Sequence, residues 1–321
     1  MEQTLILVPS NSFYYFNSLK LPNVVVSPVF REVHGASEMV WKAMRKLRLA
    51  ASSLFYTDWY KDLQSFSKII VFDLTAWLDP ALLRNINRHK NPDAKCYLYS
   101  WNIVRDKQVV LGHLAACRKY GFSYYSYDEN DCKQYGFRFN TIMYDENLRL
   151  PERALTSDML FLGFLKDRKA KMLALHQIIS DAGMKPEFVI VENGNQHEDL
   201  PFTIRHSYVN YADYLDMVSQ SKAILDITQQ GQNGFSMRVM ESIFLNKKLV
   251  STNMALLSAN FYDPNNILVI DLQNPDEEAL TVFLRSEFHP YSQETRHYYS
   301  VGSWIQSFST MMVQTNNGKT H

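Results

Sequence analysis

Residues that can bind an anion and a diol follow one apolar stretch of the chain. Ile224–Ile227 has the apolar character of a buried strand, and the polar loop TQQGQNG comes directly after it. Ser236 then opens a helical pattern that places Arg238 and Glu241 on one face. The N–H groups and positive dipole of a helix start favour a phosphate, and Arg238 can add a charged hydrogen bond. Because a carboxylate such as Glu241 can accept from both hydroxyls of a ribose, the pattern indicates a nucleoside diphosphate pocket.

A plainer interpretation of the same residues stays open. Gly234 lets a ligand approach the backbone, yet glycine turns before helices are common in α/β proteins of every function. Under that interpretation Arg238 and Glu241 form a solvated pair and bind no ligand.

Further cations follow another apolar run. Met159–Leu162 is typical of a buried strand, and the loop after it carries Lys166 and Arg168. Beside a nucleotide these cations would stabilise the negative charge that develops on a departing diphosphate. The alternative is a solvated charge cluster that opens the next helix.

A reaction in which a hydroxyl displaces a nucleoside diphosphate needs a general base. Asp73 ends the strand pattern KIIVFD, and His34 lies in the loop REVHGASE ahead of a helical pattern, so these are the candidate catalytic residues. Each also has a structural interpretation, Asp73 as the cap of a turn and His34 as a polar loop residue. Trp101 and Asn102 follow the strand pattern KCYLYS and are placed to shape an acceptor pocket.

The elements that would position these residues alternate between strands and helices along the whole chain. Helical patterns cover Ala36–Ala51, Pro80–Lys90, Lys169–Ala182, Ala212–Ser219 and Ser236–Asn246. Apolar strand patterns cover Thr4–Val8, Asn23–Val26, Lys68–Phe72, Lys95–Tyr99, Met159–Leu162, Glu187–Val191, Ala223–Ile227, Lys248–Ser251 and Ile267–Ile270. This alternation is typical of βαβ units around parallel sheets.

A proline and a charge cluster at Leu148–Ser157 separate two groups of strands. The sequence therefore predicts an α/β protein with two Rossmann-like, doubly wound parallel-sheet domains facing a cleft. We expect a first domain at 1–153 and a second domain at 154–290, with a closing helix and tail at 291–321 that cross back to the first domain.

Composition narrows the classes of function. Lys plus Arg equals Asp plus Glu at 33 each, so there is no overall basic charge to indicate nucleic-acid binding. The three cysteines are too few and too scattered for a disulfide framework or a zinc site, and we expect a reducing, cytoplasmic compartment. The start MEQTLILVPS carries an acidic residue where a signal peptide needs positive charge, so it is interpreted as a first strand.

The segment NGFSMRVMES, Asn233–Ser242, resembles the donor-binding segment in the carboxy-terminal domain of GT-B glycosyltransferases. The longer stretch Tyr211–Asn253 is similar to glycosyltransferases of bacterial surface-polysaccharide synthesis, which build capsule, exopolysaccharide and lipopolysaccharide. Ser157–Ile179 resembles the opening of the second domain in the same group, and KCYLYSWNIV and SYDENDCKQYGFRFNTIMY resemble pieces of the first. The resemblance therefore covers most of the chain, and it implies an acceptor-side domain at 1–153 and a nucleotide-sugar-binding domain at 154–290.

The resemblance implies residue roles. It assigns Glu241 to the ribose and the region of Tyr208 and Val209 to the nucleobase. The residues that match the helix-start segment at the diphosphate are Gly234, Phe235 and Ser236, to which the chemistry above adds Arg238, Lys166 and Arg168. The sequence departs from the family at Asn233, where retaining members commonly carry a glutamate, and this leaves the retaining or inverting outcome open.

The resemblance also implies an activity. It is that of a hexosyltransferase-type enzyme, which moves a sugar from a nucleotide-sugar to a glycan or lipid-linked acceptor at the inner face of the cytoplasmic membrane. No cofactor and no metal are expected, because the chain has no Asp-x-Asp pair and no His-x-x-x-His spacing. Two alternative functions are compatible with the same two-domain fold: a sugar-nucleotide epimerase, and a non-catalytic partner of a polysaccharide assembly complex.

Overall fold

A computed structural model describes residues 2–10, 14–16, 18–47, 50–74, 79, 81–166, 168–192, 200–228 and 233–309. Residues 229–232 of the polar loop that the sequence singled out lie outside this set. The chain divides into two compact units, and we call Met1–Thr141 with Gly302–His321 the first unit and Ile142–Val301 the second unit.

The first unit is built on one six-stranded sheet in which every neighbouring pair is parallel. Its strands are β1 (Thr4–Val8), β2 (Val24–Pro28), β3 (Lys68–Phe72), β4 (Lys95–Ser100), β5 (Phe122–Ser126) and β6 (Arg138–Phe139), in the order β2-β1-β3-β4-β5-β6. Its α-helices are α1 (Ala36–Lys46), α2 (Leu82–His89), α3 (Lys107–Tyr120) and α4 (Glu129–Tyr135). Short 3₁₀ helices lie at Tyr14–Phe16, Ala50–Phe55, Asp58–Tyr60 and Leu63–Ser65.

The second unit repeats this plan around another six-stranded parallel sheet. Its strands are β7 (Ser157–Gly163), β8 (Pro186–Val191), β9 (Thr203–Arg205), β10 (Ser221–Asp226), β11 (Lys248–Ser251) and β12 (Ile267–Val269), in the order β12-β11-β10-β7-β8-β9. The helices are α5 (Lys169–Asp181), α6 (Tyr211–Ser219), α7 (Met237–Leu245), α8 (Glu277–Arg285) and α9 (Gln293–Tyr298), with a 3₁₀ helix at Met254–Ser258. The last helix, α10 (Val301–Ser307), begins at the final residue of the second unit and otherwise belongs to the first unit.

The burial of strand residues explains why apolar runs in the sequence predicted these strands. Every residue of β1 and of β3 is buried, as expected for parallel strands that helices cover on both faces. In the first sheet the order of strands reverses between β1 and β3, and in the second it reverses between β7 and β10. Ligands of open α/β sheets bind outside the carboxyl ends of the strands at such a reversal.

The end of the described chain packs in the core of the first unit. Trp304 is fully buried, and its carbonyl accepts a 3.1 Å hydrogen bond from Nδ2 of Asn140. The hydroxyl of Tyr125 donates to the carbonyl of Phe308 at 3.1 Å. The expectation that the closing helix returns to the first domain is therefore confirmed.

Some elements differ from the sequence predictions. The helix expected over Ala36–Ala51 ends at Lys46. The patterns missed β5, β6 and β9, because β5 interrupts its apolar residues with serines and the other two are only two and three residues long. Among the described helices, none is both long and apolar enough to cross a bilayer.

Candidate functional site

The candidate donor site lies at the strand reversal of the second unit. β10 pairs with β7 through Ala223 with Met159 and Ile224 with Leu160. After these strands the chain turns into α7 and α5, respectively. The residues that the sequence predicted for the diphosphate and the ribose therefore follow the carboxyl ends of adjacent strands.

Contacts of Gly234 and Phe235 hold the start of α7 in place. Ser236 has extended backbone angles, φ −79° and ψ 167°, and its side chain accepts no hydrogen bond from the first turn of the helix. The carbonyl of Gly234 accepts a 3.4 Å hydrogen bond from Nδ2 of Asn253, and the ring of Phe235 packs edge-on against Phe261 at 5.1 Å. Phe235, Ser236 and Met237 are half-buried, and Oγ of Ser236 is itself buried.

Arg168 and Arg238, which we call the arginine pair, cross-link the two strand ends. Arg238 opens α7 after β10 and donates from Nη2 to the carbonyl of Leu162 at the end of β7. Arg168 precedes α5 after β7 and donates from Nη1 to the carbonyl of Ile227, just past β10, at 3.5 Å. Each arginine therefore follows one of the two strands and donates a hydrogen bond to a backbone carbonyl at the end of the neighbouring strand. This places two positive charges at the strand reversal.

The loop after β7 keeps Lys166 on the surface. Lys166 is exposed and has a φ of 50°, in the left-handed region that non-glycine residues rarely adopt. Gly163 just before this loop packs closely, because a Cβ at that position would lie 3.1 Å from Cζ of Phe161. Arg168 completes the loop with a 2.9 Å hydrogen bond from Nη2 to the carbonyl of Phe164.

Two buried carboxylates lie beneath the arginine pair. Asp226 is the last residue of β10, is 2% exposed, and accepts a 3.1 Å hydrogen bond from Oγ of Ser251. Burial raises its pKa, and the positive charge of Arg238 opposes that rise. Burial likewise raises the pKa of Glu241, against hydrogen bonding from Tyr214 and the charge of Arg238. Arg238 therefore interacts electrostatically with both carboxylates.

Tyrosine hydroxyls occupy both oxygens of Glu241. Tyr211 donates to Oε1 at 2.9 Å and Tyr214 donates to Oε2 at 2.6 Å. The hydroxyls of Tyr144 and Tyr211 lie 2.8 Å apart, which extends the network. Glu241 is 2% exposed, so a ribose could reach its oxygens only after other side chains move. The geometry gives this carboxylate an internal role beside Arg238.

In the first unit Asp73 lines a small cavity with a partly apolar wall, the Asp73 pocket, with a volume of about 130 Å³. The carboxylate accepts hydrogen bonds at 3.2 Å from the backbone N–H of Trp101 and from Oγ of Ser100. Burial raises the pKa of Asp73 to about 6, although both hydrogen bonds act in the other direction. Arg105 and His113 line the same pocket.

The other residues predicted for the first domain have different surroundings. Asn102 lines the Asp73 pocket, and its carbonyl accepts a 2.7 Å hydrogen bond from Ser100. The ring of Trp101 packs against Phe72 at 5.2 Å. The backbone N–H of Trp101 therefore binds Asp73, while its side chain packs against the aromatic side chains of the unit. His34 lies exposed in the loop between β2 and α1 and does not line the pocket. The structure therefore brings Asp73 and Asn102 together and leaves His34 apart.

Tyr208 and Val209, predicted for the nucleobase, line a groove of the second unit with Arg153, Arg205 and Asp216. Tyr208 is 73% exposed. Neither residue has a hydrogen bond or ring contact to the arginine pair among the described contacts.

Sequence reasoning missed several residues of the donor site. Asp226 lies at the end of an apolar strand pattern, as Asp73 does. The position that identified Asp73 could therefore also have identified Asp226. Tyr211 and Tyr214 were hidden within an ordinary amphipathic helix pattern, because nothing in a helix sequence shows which partner its hydroxyls meet. Among the described residues, no three His, Cys, Asp or Glu side chains form a group that could hold a metal ion.

Comparison with solved structures finds the same pair of sheets in glycosyltransferases. An alpha-glucosyltransferase in complex with UDP and a 13-mer DNA containing an HMU base superposes with a TM-score of 0.55 at 10% identity, covering 95% of this chain and 100% of that chain. An alpha-glucosyltransferase with UDP and a 13-mer DNA containing a central A:G mismatch gives a TM-score of 0.53 at 10% identity, over 90% and 95% of the two chains. The glycosyltransferase SnogD from Streptomyces nogalater gives 0.43 at 12% identity, over 97% and 96%.

No protein-family model matches the sequence, and no curated protein matches it. At 10% identity the structural likeness shows the fold alone. That fold is the GT-B pair of Rossmann-like domains, as the sequence predicted.

Proposed function

We propose that this chain is a glycosyltransferase that moves a sugar from a nucleotide-sugar, with UDP as the nucleotide to test first, to a hydroxyl group. The observation that supports it most strongly is the reciprocal cross-link of the arginine pair at the strand reversal, beside the half-buried start of α7. The UDP bound by two neighbours of the same fold supports the choice of nucleotide.

The chemistry assigned to the second unit is charge stabilisation. When the acceptor oxygen bonds to the anomeric carbon, the bond from that carbon to the diphosphate oxygen breaks and its electrons leave with the diphosphate. The N–H groups at the start of α7, Arg238, Arg168 and Lys166 would stabilise this negative charge. Asp226 and Glu241 interact electrostatically with Arg238 from within the second unit. No metal is needed for this step if these groups carry it.

The proton of the acceptor hydroxyl needs a base, and we assign it to Asp73. Its carboxylate lines a pocket, is held by two hydrogen bonds, and has a pKa raised to about 6. A base with such a pKa is ionised at neutral pH and still basic enough to accept a proton during the reaction.

For the acceptor we propose a glycan or lipid-linked oligosaccharide of bacterial surface-polysaccharide synthesis, at the inner face of the cytoplasmic membrane. This finer proposal rests on the sequence resemblance of Tyr211–Asn253. Two neighbours were solved with DNA, so DNA is the competing acceptor. The balanced charge of this chain, 33 cations against 33 anions, favours the glycan.

The test is a transfer assay with UDP-, GDP- and dTDP-sugars, offered with lipid-linked oligosaccharide, with a DNA duplex carrying hydroxymethyluracil, or with no acceptor. We expect nucleoside diphosphate release and a heavier glycan product only in the first arm. Conversion of the donor sugar without an acceptor would identify an epimerase, and a heavier DNA would move the acceptor to nucleic acid. No binding of any of these donors would overturn the proposal.

A further inference from the structure

The second unit contains a large groove beside α6, which the proposed function does not use. It has a volume of about 650 Å³, within the range of pockets that hold drug-sized ligands. The α6 groove has Ser157 and Ser221 at its base, the first residues of β7 and β10. Leu162, which Arg238 contacts, lies near the other end of β7, roughly 17 Å away at about 3.3 Å per strand residue. The base of the groove is therefore separate from the arginine pair.

Charges of both signs line the α6 groove. Its charged lining residues are Arg153, Glu187, Arg205, Asp213 and Asp216. Nε of Arg153 donates to Oδ1 of Asp216 at 2.7 Å, so part of this charge is neutralised within the wall. A phosphate or sulfate would meet three carboxylates, and a polyamine would meet two guanidinium groups. The balance therefore favours a neutral ligand.

The lining also offers hydrogen bonds of both kinds. Carboxylate oxygens of Glu187 and Asp216 accept, while the guanidinium groups of Arg153 and Arg205 donate. Gln220 is already fixed toward Asp216, with Nε2 3.0 Å from Oδ2, so the wall is organised before any ligand arrives. A polyhydroxyl compound is a neutral ligand that both donates and accepts hydrogen bonds around its edge, so it suits this lining.

An exposed aromatic ring completes the lining. Tyr208 is 73% exposed, and the flat ring of a tyrosine packs against apolar faces while its hydroxyl stays in water. A sugar ring presents C–H groups on one face and hydroxyls around its edge, which matches this combination of ring and charged side chains.

We propose that the α6 groove is an accessory binding site for a neutral oligosaccharide of about two or three sugar residues. The site would hold glycan independently of any nucleotide, and the inference stands whether or not the chain transfers sugar. In a transferase it would retain a growing product between additions.

The test uses methyl-labelled methionine, because Met217 lines the α6 groove and Met240 is fully buried in α7. Maltotriose, cellotriose and mannotriose are titrated separately, with glucose 6-phosphate as the anionic probe. We expect at least one neutral trisaccharide to shift the Met217 methyl signal in a saturable way and to bind more tightly than glucose 6-phosphate. UDP should not displace it.

Asp216→Asn and Arg205→Gln should each weaken that trisaccharide about tenfold, the loss of one charged hydrogen bond. Asp181→Asn is the matched control, since Asp181 ends α5 outside the groove and its side chain accepts a 2.7 Å hydrogen bond from Nε2 of Gln177. An unchanged Met240 signal shows that each variant folds. No response of Met217 to any neutral trisaccharide at millimolar concentration, tighter binding of glucose 6-phosphate, or full affinity in both groove variants would overturn the inference.

Discussion

The hydroxyl of Tyr214 donates a 2.6 Å hydrogen bond to Oε2 of Glu241, inside the second unit and out of contact with solvent. Tyr211 does the same for Oε1 at 2.9 Å. Arg238 precedes Glu241 by one helical turn, and its charge opposes the rise that burial imposes on the pKa of Glu241. The tyrosines therefore hold the carboxylate in place, and we propose that Glu241 acts on a ligand only through Arg238, as a positioning residue.

Replacing Glu241 separates this role from a direct ribose contact. We expect Glu241→Gln to weaken UDP, because a glutamine cannot accept hydrogen bonds from both tyrosine hydroxyls and the network beside Arg238 is disturbed. The preference of the protein for UDP over 2′,3′-dideoxy-UDP should stay the same in the variant, because the carboxylate does not touch the diol. Calorimetric titration of both nucleotides into both proteins measures this. A preference that disappears only in Glu241→Gln would instead restore the ribose contact that the sequence resemblance implied.

Arg238 should carry much of the affinity for the diphosphate. Arg238→Met removes a charged hydrogen bond and should weaken UDP by about 10- to 100-fold, or about 1.5–3 kcal/mol. Arg168→Met should act in the same direction. Arg285→Met is the control, because Arg285 lies at the end of α8 and bonds the carbonyl of Ala182. Equal UDP affinity in Arg238→Met and the wild type would place the nucleotide elsewhere.

Asp73 should give both stability and activity a dependence on pH. Its pKa is about 6 when folded against 3.8 in the unfolded chain, so the folded state holds the proton more tightly between these values. Stability therefore falls as pH rises from about 4 to about 6, by roughly 3 kcal/mol, and is level above that. Urea unfolding across this range should show the slope, and Asp73→Asn should remove it.

The same group sets the expected activity profile. A base must be ionised, so transfer should rise with pH through about 6. Asp73→Asn should lower transfer by about 100-fold or more while UDP affinity is unchanged. Wild-type transfer in this variant would show that Asp73 is not the base, and the base would then be sought among other residues of the first unit.

Chelation should leave the activity intact. The described residues offer no group of three metal-ligating side chains, and the arginine pair supplies positive charge where a metal would otherwise be required. We expect equal rates of nucleoside diphosphate release with excess EDTA and with added Mg²⁺ or Mn²⁺. Loss of activity in EDTA that a divalent cation restores would refute metal independence.

Strand and helix periodicity, together with Gly234 and Ser236, sufficed to predict both sheets and the start of α7. The buried strands Lys68–Phe72 and Lys248–Ser251 were predicted with the bounds observed. In Lys68–Phe72 four apolar residues follow one another, as expected for a strand buried on both faces. The edge strand Thr203–Arg205 was missed because it is short and partly exposed, which leaves little hydrophobic signal.

The candidate site was harder to predict than the fold. Arg238 and Arg168 were identified by their position after strands, but their bonds to Leu162 and Ile227 depend on which strands are neighbours, and sequence order does not give that. Glu241 was identified by its spacing and by the family resemblance, and neither could show that Tyr211 and Tyr214 enclose it. Both cases turn on long-range contacts.

The central claim is that a nucleoside diphosphate binds at the start of α7 in the second unit. The most direct measurement is a titration of amide-labelled protein with UDP, following the backbone N–H signals of Phe235, Ser236 and Met237. We predict that these amides shift most and saturate together, and that Arg238→Met weakens the response. Absence of any shift at these amides with millimolar UDP, GDP or dTDP, or saturable shifts confined to other parts of the chain, would contradict it.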